Sequence, residues 1–465
     1  MADTRSESDS LGQVDVPADA LYGAQTVRAV NNFPVSGWPM PAGFIAAVAM
    51  VKQAAAEVNK DAGRLDAKIA DAIIAAAQEI IDGKLAEQFP VDVFQTGSGT
   101  STNMNVNEVI ANRAAQILGG AAGDKGLVHP NDHVNMGQSS NDVIPTALHI
   151  STAMAIHDRF VPALRRLIQA LEAKANEFDG IVKVARTHLM DAVPIRLGQE
   201  FSGYARQIDG ALCGLLTAIA SLSSVAMGGT AVGTGLNAPQ GFAEKVCSLL
   251  TEKALVPVSE AENHFEAQGA RDTAVYTSGV LRMAALAMGK IAGDIRLMAS
   301  GPRCGLGELI LPAVQPGSSM MPGKVNPVIC ESVIQVACQV VGFDAAIAAG
   351  ATGGVGSILD LNVAMPMIAT NLLVGIDLLA GAATILAEKC IDGLKVDEAR
   401  CKELVEQSLA MVTALTPKLG YDAAVDIARQ AAESGKTIRQ VCLENNLLPA
   451  DELDQLLDAR RNTGV

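Results

Sequence analysis

The chain has 465 residues, with 50 Asp and Glu against 35 Lys and Arg, a formal charge of −15. So acidic a chain is poorly matched to DNA, RNA or an anionic membrane surface. Hydrophobic residues make up 49% but aromatics only 3%, which speaks against a β-sandwich, excludes disorder over most of the length, and favours close-packed helices rich in small apolar side chains.

In chain order, MADTRSESDS at the start is polar and acidic, without the apolar run of a secretory signal, so a cytoplasmic location is expected. Apolar periodicity predicts helices over 44–60, 107–118, 146–178, 197–222, 264–300 and about 327–349. Several exceed the common helix length of about 11–12 residues and are apolar on more than one face, as in a bundle continued across subunits. The stretch 211–227 lies in an uncharged region, yet it is short for a membrane span and runs straight into GGTAVGTG, so a buried helix is expected and no membrane is implied. The fold class is therefore mainly α, in three parts. Residues 1–138 form an N-terminal domain of mixed short elements and helices, 139–395 a central domain of long helices, and 396–465 a small C-terminal domain of short surface helices. Eight cysteines, none in a C-x-x-C pair and none before residue 213, read as reduced, mostly buried thiols.

Four loops interrupt the helical pattern with clustered Gly, Ser, Thr, Asn and His: TGSGTSTNMN (96–105), HPNDHVNMGQSSND (129–142), ARTHLMDAVP (185–194) and PGSSMMPGKVNP (316–327). Such residues supply the N–H groups, hydroxyls and amides that a small carboxylate ligand needs. Standard cofactor sites are not indicated. GSSMMPGKV has five residues between Gly317 and Gly323 where a phosphate loop has four, and Val325 replaces its magnesium-binding Ser or Thr. There is no H-E-x-x-H, no cysteine set with zinc spacing, and no strand before GTAVGTGLN to make a dinucleotide fold. Neither a metal nor a cofactor is expected. His149 and His157 fall inside a helical run and read as packing or surface residues, whereas His188 lies in a loop suited to a titrating group.

PGSSMMPGKVNP resembles the signature of the aspartase/fumarase superfamily. The resemblance continues through VPADALYGAQTVRAVNNFP (16–34), TGSGTSTNMNVNEVIANRA (96–114), GGTAVGTGLN (228–237) and ALTPKLGYDAA (414–424). Ser98 in TGSGT, Ser140 in QSSND, and HPND together with THL make it most similar to the class II fumarases. That resemblance implies a homotetramer whose central helices form one multi-helix core, with active sites each shared by three chains. It implies reversible, cofactor-free hydration of fumarate to L-malate, the tricarboxylic acid cycle reaction. Ser318 would be the base, His188 paired with Glu331 would handle the water, and Lys324, Asn326 and loop N–H groups would stabilise the aci-carboxylate. Ser98, Gly99, Thr100, Ser139, Ser140, Asn141, Thr187, Ser319 and Val325 would complete the substrate site. His129, Pro130, Asn131 and Asp132 match a second dicarboxylate site. Phe343, Ala185 and the segment 353–363 depart from the family pattern. A methylated fumarate such as mesaconate is thus a rival substrate. Two further functions compete with hydration: an ammonia-lyase acting on aspartate, and a non-enzymatic structural role.

Overall fold

The computed structural model describes residues 3–464. The fold is mainly α, as expected, with strands confined to short two-stranded pairings among the described residues. The chain divides into two compact units. One comprises the chain up to Pro162 with 211–285 and 338–380; the other comprises 163–210, 286–337 and the chain from Gly381.

In the first unit the helix Ala42–Asp61 is central. Its sequence is apolar on almost every side, so it must be surrounded. It packs on the helices Ala67–Ile81, Ser140–Ala155 and Phe242–Ala254. Asp66 caps the first of these three by accepting from the N–H groups of Lys68 and Ile69. The antiparallel hairpin Thr4–Asp9/Gly12–Pro17 leads into the helix Ala24–Asn32. Glu108 fixes that helix start by accepting from the N–H groups of Gly23, Gln25 and Thr26.

Three helices differ from their predicted limits, each for a local reason. The predicted 107–118 helix begins at Thr100, because Gly99 at φ +74° supplies the left-handed turn before it. The predicted 146–178 helix begins at Ser140 behind a capping box of Ser139 and Asp142, and passes through a π-helical turn at Ile156–Phe160. The predicted 264–300 helix is two helices, His264–Gly269 and Asp272–Met298, with Ala270 extended between them. The buried Arg271 guanidinium donates to the carbonyls of Ala267 and Gln268 and so ends the first helix.

In the second unit an antiparallel hairpin, Val182–Thr187/Met190–Arg196, stands beside the C-terminal helices Glu398–Gln407, Tyr421–Ser434, Ile438–Glu444 and Ala450–Leu456. These helices are short, as expected, but they are more than a surface layer. Val405, Met411, Leu415, Ile427, Ile438 and Leu453 close an apolar core of their own, into which the hairpin contributes Val184. Burial of that core offsets the ordering of a charged, Gly-poor tail.

Two helices, Val328–Ala351 and Met365–Ile391, are long and apolar enough to cross a bilayer by length and composition. Each carries a carboxyl group paired with an arginine. Asp344 pairs with Arg282 and accepts from Ser278, and Asp377 pairs with Arg159 at 2.7 Å. Asp377, Arg159 and Arg282 are each about half exposed in a single chain, and charged pairs at mid-helix are costly in hydrocarbon.

Candidate active site

Each unit carries its own set of the predicted residues. In the first unit, TGSGT and QSSND lie against each other at the starts of two helices. Gly99 precedes Thr100–Ile117 and Ser139 caps Ser140–Ala155. Ser98 Oγ and Thr100 Oγ1 are hydrogen-bonded at 2.8 Å, and Thr100 Oγ1 and Ser140 Oγ at 2.7 Å. Ser140 Oγ reaches Asn141 Oδ1 at 3.4 Å, and the Asn141 amide donates to the Ala231 carbonyl at 2.8 Å. A chain of hydroxyls thus joins two helix N-termini, whose dipoles favour an anion. Glycine is required beside it, because a Cβ on Gly97 would stand 1.7 Å from the Val363 carbonyl oxygen. The departing segment 353–363 is therefore in direct contact with TGSGT. Its hairpin, Ser357–Ile358/Leu361–Asn362, turns through an exposed Leu359. Phe343 sits instead over Gly375, with its ring 3.6 Å from where a Cβ there would be.

Beneath the 129–142 loop lies a polar network that the loop motifs do not announce. Lys52, fully buried, donates to Asn135 Oδ1 at 2.7 Å and Gln138 Oε1 at 3.0 Å. Asn103 and Asn107 donate to the same Asn135 oxygen. Asp142, also fully buried, accepts from the N–H groups of Ser139, Gly228 and Thr230. Burial pushes the Lys52 ammonium down to about 7 and the Asp142 carboxyl up to about 6, each drawn back by the other's charge. Two signals for this network exist in the sequence: an isolated lysine inside an apolar run, and the spacing of Ser139 and Asp142 as a capping box.

His129 Nδ1 accepts from the N–H groups of Asn131 and Asp132, which leaves its Nε2 free of that turn. Pro130 is buried, while Asn131 and Asp132 are exposed and line an open cleft of about 400 Å³ with Gln138, Ser139 and Thr230.

In the second unit, His188 and Leu189 form the two-residue turn of the hairpin, both at positive φ (59° and 62°). This is the mirror-image turn that matches strand twist, but glycine or asparagine normally occupies it. Two ordinary side chains held there are backbone strain of about 1–3 kcal/mol each, a common mark of a working site. Thr187 and His188 are exposed. Below them Arg186 donates to the fully buried Glu308 at 2.8 Å, and buried Lys183 stands 3.6 Å from the same carboxylate.

The loop 316–327 is closed on itself. Gly317 N–H donates to the Lys324 carbonyl at 3.0 Å, and the Asn326 amide donates to the Gly317 carbonyl. A Cβ on Gly317 would lie 2.2 Å from the Lys324 oxygen, so only glycine fits. Ser318 Oγ accepts two backbone N–H groups, from Met321 at 2.9 Å and Met320 at 3.2 Å. Two donors aimed at one hydroxyl oxygen favour negative charge on it. Ser319, Lys324 and Val325 are exposed and Asn326 is half-buried. Glu331 is exposed in the first turn of Val328–Ala351, and among the described residues no hydrogen bond joins it to His188. No group of three or more His, Cys, Asp or Glu residues among the described residues is arranged to hold a metal ion.

A family model described as "Lyase" matches residues 12–342, and one described as "Fumarase C C-terminus" matches 411–462. Fold and site thus define a lyase. The chain is 52% identical over 456 residues to a class II fumarate hydratase of Halobacterium salinarum, covering 98% of this chain and 96% of that one. It is 50% identical over 453 residues to a class II fumarate hydratase of Thermosynechococcus vestitus, covering 97% and 96%. A crystal structure of recombinant class II fumarase from Schistosoma mansoni matches with a TM-score of 0.95 at 40% identity, over 99% of each chain. The chain belongs to the class II fumarase family.

Proposed function

We propose that the chain catalyses the reversible, cofactor-free hydration of fumarate to L-malate. The observation that carries this reading is the Ser98–Thr100–Ser140 hydroxyl chain at two helix N-termini, a ready-made seat for a substrate carboxylate. Asn141 and Ser139 complete that seat, and Thr187 joins it from another subunit. In the dehydration direction Ser318, activated by the N–H groups of Met320 and Met321, takes the C3 proton of malate. The C–H electron pair moves into the neighbouring carboxylate to give an aci-carboxylate dianion, which Lys324, Asn326 and loop N–H groups stabilise. The C2–O bond then breaks, the electron pair forms the double bond, and His188 protonates the departing hydroxide to water. Glu331 holds the imidazole in its reactive tautomer.

His188 and Glu331 share no hydrogen bond within a chain, so the pairing is made across subunits of a homotetramer whose sites draw on three chains. Uncovered apolar side chains along the long helices support that assembly: Leu216, Met283, Leu286, Leu297 and Val341 are all exposed in a single chain. The reading includes a cytoplasmic enzyme divided at 138/139 and 395/396, and a second dicarboxylate site at His129–Asp132. The test is a panel of malate, aspartate and mesaconate, followed by fumarate's ultraviolet absorbance or its methylated counterpart. Turnover of malate above the other two is expected, and faster turnover of aspartate or mesaconate overturns the assignment. Ser318→Ala should slow malate turnover by roughly 100-fold or more. A loss under about tenfold, or about 1.4 kcal/mol, removes Ser318 as the base.

A further inference from the structure

Asp142 takes no part in the reaction just described, yet its carboxylate ties together the two segments that frame the hydroxyl chain. Oδ1 accepts the Ser139 N–H at 2.9 Å, at the start of the helix that carries Ser140 and Asn141. Oδ2 accepts the N–H groups of Thr230 at 2.9 Å and Gly228 at 3.2 Å. Thr230 is buried and β-branched, and its φ of +55° is a conformation such residues seldom adopt. It persists because both sides of the residue are clamped: its N–H by Asp142 and its carbonyl by the amide of fully buried Gln268 at 2.8 Å. The next carbonyl, Ala231, receives the Asn141 amide at 2.8 Å. Glycine on the other side leaves no slack, since a Cβ on Gly229 would stand 2.3 Å from Gln268 Oε1.

We infer that Asp142 is a positioning residue for the substrate-carboxylate seat, acting through the strained Thr230 turn to fix where Asn141 and Ser140 stand. The inference rests on the reading of that seat given under Proposed function. A carboxylate suits the role because both oxygens are acceptors and all three partners are N–H donors. An asparagine has one oxygen and one amino group, and whichever way it turns it sets a donor against a donor.

The experiment uses the full-length protein with malate as the probe. Asp142→Asn should raise the KM for malate by about tenfold or more while kcat falls less than about threefold, because the base sits on a different segment. Adding Thr230→Gly should restore at least about threefold of the lost KM, since glycine holds φ +55° without a clamp. A loss of packing alone would lower thermal stability and would not be rescued in KM. An Asp142→Asn protein with unaltered KM, or with kcat and kcat/KM reduced equally, overturns the inference while leaving the activity standing. A wild-type protein inert toward malate removes the reading of the seat, and the inference with it. Should Asp142→Asn not fold, Gln268→Leu releases the other side of the same turn; it should raise KM in the same pattern, and an unchanged KM there refutes the role.

Discussion

Gly97→Ala is the sharpest probe of the seat, because it adds a methyl group at a place where nothing can yield. The new Cβ would lie 1.7 Å from the Val363 carbonyl oxygen and 2.4 Å from its carbon. Ordinary contact begins at about 3.4 Å, so the two backbones must part by roughly 1.7 Å. Both walls are main chain, and the Gly97 carbonyl also accepts the Met365 N–H at 3.0 Å, so the shift must pass into TGSGT or into the 353–363 loop. Gly97 is not at positive φ, which leaves the clash as the sole cost of the substitution. Overpacking typically costs about 1–3 kcal/mol of stability and occasionally more, so folding is checked before the rate is read. A displacement of about 1 Å in a reacting group can cost about 100-fold in rate, so kcat/KM for malate should fall by at least that factor, about 2.7 kcal/mol. The assay is initial-rate kinetics on protein whose circular dichroism and melting temperature have been checked. Gly43→Ala is the control: a Cβ there meets nothing within 4 Å, and its activity should stay within about twofold. If Gly97→Ala keeps kcat/KM within about threefold of wild type, the contact between 97 and 363 does not set the geometry of the seat.

Three further outcomes are expected. Burial, with Arg271 nearby, pulls the His149 imidazole down to about 4, and its Nδ1 lies 2.8 Å from the Ser224 carbonyl. Its unfolded counterpart titrates near 6.5, so protons bind the unfolded chain first; stability present above pH 6.5 is lost as the pH falls toward 4, about 2 kcal/mol of it by pH 5. His149→Asn, which keeps a donor for Ser224, should flatten urea-unfolding stability between pH 7 and 5 by that amount, and an unchanged slope counts against the assignment. Lys183→Met leaves the fully buried Glu308 with Arg186 as its remaining cationic partner and should cost about 3–5 kcal/mol in chemical denaturation, whereas a loss under about 1 kcal/mol would mean the pair is solvated. With −15 per chain, the KM for malate should fall from very low to moderate concentrations of a non-binding salt, as bulk repulsion of the dianion is screened; a clear rise would show that local attraction dominates.

What could be read directly from the sequence follows the range of each interaction. The helix 197–222 was legible to its ends because its signals are local: an apolar period, no proline, and turn residues on either side. The break at Ala270 was not, since it depends on a buried guanidinium turning back on two carbonyls in an otherwise uninterrupted pattern. The helix Met365–Leu386 is hard to see for a different reason: a nearly all-apolar run carries little amphipathic contrast. Among candidate site residues, Ser98, Thr100, Ser140 and Ser318 stood out because hydroxyls clustered with glycine are conspicuous in a helical chain. Asp142 and Lys52 leave only local traces, a capping-box spacing and a lone lysine in an apolar run, because what makes them matter is burial against groups such as Thr230 N–H, 88 residues away, and Asn135, 83 residues away. Such pairings leave no periodic trace.

The small apolar core of the C-terminal helices also imposes an order on synthesis. Val184, in the hairpin that presents His188, packs with residues as far along as Leu457. The hairpin therefore leaves the ribosome with its floor missing, and 273 further residues must be added before the last of that floor exists. At about 5–20 residues per second, this leaves an interval of roughly 14–55 s in which the turn carrying His188 has to form its strand pairing without support. During that time Val184 is bare to other nascent chains on the same message. A chain released early, short of Leu453, would carry every residue assigned to the reaction and still lack the surface that holds one of them in place.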